Sequence, residues 1–146
     1  MKKRRSKPMS WRYESNINNA IKAMQQAEKL AVRRGAEYIK GNAVAYSRKA
    51  SGDTARGFEV TVVIDGQTIK AVIYNNKENA IYEEFGTGIY AEKGGRKTPW
   101  VYRDKRTGKF YRTHGKKGTK ALRNAAEKHR SEINRIMEST MKGGIG

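Results

Sequence analysis

Two adjacent carboxylates, Glu83 and Glu84, and two imidazoles, His114 and His129, are the residues best equipped for acid–base work in this chain. A catalytic carboxylate pair needs both groups aimed at one substrate. Neighbours point to opposite faces in a strand and lie about 100° apart in a helix, so adjacency favours a structural or interface role. His129 falls on an apolar helical stripe, where a packed histidine is the usual outcome. His114 sits in a basic loop between Thr113 and Gly115, with no carboxylate close in sequence to orient it. Gly115-Lys116-Lys117-Gly118-Thr119 has groups a phosphate would accept but not the G-x-x-x-x-G-K-[ST] spacing of a nucleotide loop. At the start of a helix it would take a phosphate without specificity. There is no cysteine, no zinc-ligand spacing and no nucleophile elbow. The sequence therefore predicts no catalytic residue, no metal, no cofactor and no enzymatic activity.

The charge is the next feature with chemical consequence. In 146 residues, 32 Lys and Arg oppose 14 Asp and Glu, a formal charge of +18 that predicts attraction to polyanions. It is unevenly spread. Residues 1–12 carry +6 with no acid, and residues 13–50 carry +4. Residues 51–92 reverse to −4, residues 93–123 rise to +11 with Asp104 the only acid, and 124–146 carry +1. Such blocks can complement one another between subunits or bind an outside polyanion. The candidate polyanion contacts are Lys2, Lys3, Arg4 and Arg5 in the arm. In the second block they are Lys93, Arg96, Lys97, Lys105, Arg106, Lys116, Lys117 and Lys120. Between Lys93 and Arg123 these cations interleave with Trp100, Tyr102, Phe110 and Tyr111, the composition of a nucleic-acid surface. An equal reading has the aromatics filling a sheet core and the lysines merely solvated.

The elements that must position these residues follow from periodicity. Residues 1–12 read as a flexible basic arm, 13–142 as a single α+β domain and 143–146 as a flexible tail. From Glu14 to about Lys49, Ile17, Ile21, Met24, Ala27, Ala31, Tyr38 and Tyr46 approximate helical spacing. Gly35 and Gly41 mark places for a bend, and Ser51-Gly52-Asp53 supplies turn chemistry to end the helix. Phe58, Val60, Val62 and Ile64 alternate with Glu59, Thr61 and Val63, and Ile69, Ala71 and Ile73 alternate beyond Asp65-Gly66. A two-residue Asp65-Gly66 loop would set Ile64 opposite Gln67, Val62 opposite Ile69, Val60 opposite Ala71 and Phe58 opposite Ile73.

Ala80–Phe85 is a short apolar and acidic segment, and Gly86-Thr87-Gly88 reads as a tight turn needing positive φ or close backbone approach. A second hairpin flanks Asp104–Gly108, with Trp100–Arg103 before it and Lys109–Arg112 after. Thr119 is placed to cap a final helix striped by Leu122, Ala126, His129, Ile133, Ile136 and Met137, which Gly143-Gly144 would stop. The fold class is α+β: a long N-terminal helix and a C-terminal helix packed on a small antiparallel sheet built from hairpins. No apolar run approaches the ~18 residues of a membrane span, and the basic start has no apolar stretch behind it. The expectation is a soluble, intracellular protein.

The run Ala80-Ile81-Tyr82-Glu83-Glu84-Phe85-Gly86-Thr87-Gly88 resembles the A-x-Y-x-E-F-G-T-G signature of the gene-10-type head–tail component family of tailed phages. The order of elements over about residues 14–140 is similar too, although Gly118 and Ala121 stand where that family has proline and phenylalanine. The resemblance implies a structural virion protein of the neck or tail-completion region, assembled in the host cytoplasm. Such proteins form homo-oligomeric rings, here expected to be six- or twelvefold, joining the head connector to the tail around the DNA path. The partners implied are itself, head-closure and tail proteins, and genomic DNA without sequence specificity, with no membrane. Glu83, Glu84, Phe85, Gly86, Thr87 and Gly88 are then the candidate subunit interface, with both glutamates facing a neighbour's cations. The alternative is a non-specific nucleic-acid-binding protein using the arm and the 93–123 block.

Overall fold

The computed structural model describes residues 16–49 and 52–145. The expected arm over 1–12, with Lys2, Lys3, Arg4 and Arg5, lies outside the described residues, as do the expected helix start at Glu14, Ser51 of the turn and Gly146. The chain is α+β. Helix α1 spans Ile17–Tyr46 without interruption, 30 residues or about 45 Å at 1.5 Å per residue. It buries a seam of small residues, Ala27, Ala31, Gly35, Ala36 and Ala43. Gly35 does not break it. A Cβ there would come within 3.1 Å of Cγ of Met137, so the missing side chain admits the last helix. Ser47 ends α1 in extended backbone, its hydroxyl donating to the Ala43 carbonyl at 2.7 Å.

A short helix, α2 (Asp53–Arg56), leads into β1 (Phe58–Asp65) and β2 (Thr68–Asn75). The hairpin is present, but its register differs by two from the sequence expectation. Phe58 pairs with Asn75, Val60 with Ile73, Val62 with Ala71, Ile64 with Ile69 and Asp65 with Thr68. The loop is Gly66-Gln67, with the positive φ (59°) at Gly66, so Asp65 closes the ladder instead of entering the turn. A shift of two preserves pleat parity, so the apolar residues of both strands still share one face. That face packs on α1, where Phe58, Ala43 and Ala125 form the core, flanked by Ile39, Val44, Ile73 and Leu122.

After β2 come helix α3 (Ala80–Phe85) and a 3-10 turn, Gly88–Tyr90. Strands β3 (Trp100–Arg103) and β4 (Phe110–Thr113) form a second hairpin that does not join the first, so the described residues hold two separate two-stranded sheets. The C-terminal stripe folds as two helices, α4 (Ala121–Lys128) and α5 (Arg130–Ile145), parted at His129. Thr119 is not the cap of α4. Lys120 stands there in a left-handed conformation (φ 52°), and the Thr119 hydroxyl instead donates to the Glu83 carbonyl at 3.1 Å. Gly143-Gly144 does not stop the last helix, which continues to Ile145 through the expected tail. A Cβ on Gly144 would lie 2.7 Å from that of Ala27, so close packing on α1 holds this glycine helical against its weak propensity.

Candidate assembly and polyanion surfaces

The signature Glu83–Gly88 folds as one jaw of a backbone clamp whose other jaw is 114–118. Thr87 N–H donates to the Lys116 carbonyl (2.9 Å), Ile89 N–H to that of His114 (3.1 Å) and Thr119 N–H to that of Glu83 (2.7 Å). The Thr87 hydroxyl accepts from Lys116 N–H at 3.0 Å. The expected positive φ is present at Gly86 (85°) and Gly88 (62°). The approach is closer than any side chain allows: a Cβ on Gly88 would overlap the His114 carbonyl oxygen, and one on Gly115 that of Thr87. Glycine in both jaws is therefore a packing requirement.

Both signature glutamates have partners within the chain. Glu83 receives Arg48 Nη1 at 2.9 Å and Lys116 Nζ at 2.8 Å, and Arg48 also donates to the Lys117 carbonyl. Glu84 caps α4 from a distance, its two oxygens accepting the N–H groups of Leu122 and Arg123 at 3.0 Å each. A helix start has unpaired amides and partial positive charge, and with Lys120 at the cap position nothing local supplies an acceptor. Of the six signature residues proposed for an interface, Gly86 and Gly88 are buried and Thr87 is half-buried; Phe85 alone is exposed.

The basic block divides in the same way. Glu92 takes a two-pronged contact from Arg123 (2.8 Å to each oxygen) and a longer one from Lys120 (3.5 Å). The hydrogen bond from Arg123 holds the Glu92 carboxyl below its ordinary range and raises the guanidinium in return. Lys116 and Lys120 are thus committed inside the chain, and Lys117 lies over the Tyr90 ring. Sequence reasoning missed Arg48, Glu92 and Arg123 as partners. Arg48 sits 35 positions from Glu83 and Arg123 31 from Glu92, so no local spacing signals either pair.

The β3–β4 hairpin is the opposite case. None of its four aromatics is buried: Phe110 is 71% exposed, Tyr102 46%, Tyr111 41%, and Trp100 is half-buried. They do not fill a sheet core, which answers one of the two readings of this run. Asp104 is occupied in the turn. Backbone N–H groups of Arg106 (2.7 Å) and Thr107 (3.3 Å) bind its carboxyl and lower its pKa. Lys93, Lys97, Lys105 and Arg106 make no side-chain ion pair among the described residues.

His129, at the α4–α5 break, stacks on Tyr46 and meets the Tyr46 hydroxyl at 2.6 Å through Nε2, with Tyr38 edge-on. That is a packing role. No cluster of three or more His, Asp or Glu among the described residues could hold a metal ion, and no described helix is long and apolar enough to cross a membrane. No protein-family model, no curated protein and no solved structure matches this chain.

Proposed function

We propose that the chain is a structural subunit of a tailed-phage head–tail junction, acting as a homo-oligomeric ring around the DNA path. The sequence resemblance over Ala80–Gly88 supplies the family. The observation supporting self-assembly is a pair of exposed apolar patches at opposite ends of α1. At its start, Ile17, Ile21 and Met24 form one stripe and are 63%, 47% and 46% exposed. At its far end, where Arg48 ties α1 to the clamp, Ile81 (59%), Phe85 and Ile89 are exposed around α3. Monomers seldom leave two such patches open. Two different patches toward opposite ends of a helix about 45 Å long suit a head-to-tail contact, which closes into a ring when its rotation permits.

The interface accordingly moves from the glutamates to the apolar residues beside them. Native mass measurement with particle imaging, at low and high salt, tests this reading. Discrete sixfold or twelvefold rings are expected, and Ile21→Glu or Ile81→Glu should abolish them without unfolding the chain. Wild-type rings that survive both substitutions would exclude this contact.

A further inference from the structure

We infer that the β3–β4 ribbon is a seat for single-stranded nucleic acid, with bases stacked in the cleft beneath it and phosphates held along its rim. The register fixes two faces. Trp100 pairs with Thr113 and Tyr102 with Tyr111 on one; Val101 pairs with Arg112 and Arg103 with Phe110 on the other. The first face overhangs an open cleft of about 530 Å³, walled by Tyr82, Trp100 and Tyr102, with Asn79, Thr87 and Thr113 offering polar edges. That volume suits a small planar ligand, and aromatic rings stack on any base. The cleft contains one carboxylate, Glu83, whose charge is already met by Arg48 and Lys116.

At its turn end the ribbon carries Lys105, Arg106 and Lys109, with Arg103 and Arg112 on the face away from the cleft, while its single acid is bound by turn amides. The Arg96 guanidinium lies 5.7 Å from the Trp100 centroid, placing a further cation beside a stacking ring. Exposed rings interleaved with unopposed cations match a polymer that offers flat apolar faces and regular negative charge together. A duplex hides its base faces, and an acidic peptide has none. The seat belongs to one chain, so it stands whether or not rings form.

The probe is a labelled oligothymidine added to the full-length protein carrying Trp11→Phe, so that Trp100 is the sole tryptophan. Binding should quench Trp100 emission. Affinity should fall with salt with a log–log slope of about −2.8 if Arg96 and the three turn cations engage. Tyr102→Ala should weaken binding on the order of tenfold, as loss of one stacked base would. Lys105→Gln with Arg106→Gln should make the slope shallower by about 1.4. Both ribbon variants should keep the wild-type far-ultraviolet dichroism. Binding without quenching, tighter binding of a duplex of equal length, or displacement by polyglutamate at equal charge would each overturn the proposal. The ring measurement is separate, so failure of either idea is read independently.

Discussion

The clamp and the β3–β4 ribbon both draw on the basic block after residue 93, yet they use its charge in opposite ways. In the clamp, Lys116, Lys120 and Arg123 meet Glu83 and Glu92, joining the acidic 51–92 block to the basic one inside a single chain. In the ribbon, the cations and three of the four aromatics are exposed above an open cleft. A sign reversal in a sequence does not by itself announce an intermolecular contact. Part of the reversal at residue 93 is spent on folding, and only the remainder is available to a partner. Removing either region should therefore have different effects: clamp changes should cost stability, and ribbon changes should cost binding.

The largest effect should come from Gly88→Ala. Its new Cβ would overlap the His114 carbonyl, and a backbone cannot swing aside as a side chain can. A loss of about 4 kcal/mol in urea unfolding is expected, and a loss under ~1 would mean the jaws separate easily. Next is Glu84→Ala, which strips the acceptor from two α4 amides and should cost about 1–2 kcal/mol. Unfolding midpoints of the two variants together would rank backbone approach against capping.

A smaller effect should follow pH. The Glu92 carboxyl has a lowered pKa in the folded state, so its contribution is complete above the unfolded value near 4.3 and fades as pH falls through the folded one. Glu92→Gln should flatten the acid limb of thermal stability below about pH 4.5. An unchanged limb would show that the Arg123 contact is not formed in solution. Smallest is Phe110→Ser in the ribbon, expected to shift stability by less than about 0.5 kcal/mol, since 71% of that residue is already exposed. A larger loss would remove the contrast between the two regions.

The parts of this fold readable from sequence are those governed by local periodicity. The alternation from Phe58 to Ile73 identified the first hairpin and its buried face. Its register slipped because Asp-Gly can supply both loop residues or, as here, the last strand residue and the first loop residue. The break at His129 carries no proline or glycine, so the apolar stripe runs across it unmarked. The glycines at 35 and 144 misled for a common reason: each is shaped by what packs on it, which spacing along the chain does not encode. Of the site, the glycine turn was legible. The destinations of Glu83 and Glu84 were not, because their partners arrive from 33 to 39 positions away.

Helix α5 ends its contact with α1 near Ala27, and residues 17–26 ahead of that point are exposed throughout. Ten residues are too few to hold a helix alone in water, so this segment stays helical only as an extension of the supported part. Its amide protons should exchange fastest among those of α1 and slow sharply when a neighbouring subunit seats there. Deuterium uptake over 17–26 would then act as a built-in gauge of assembly, readable without a label or a substitution.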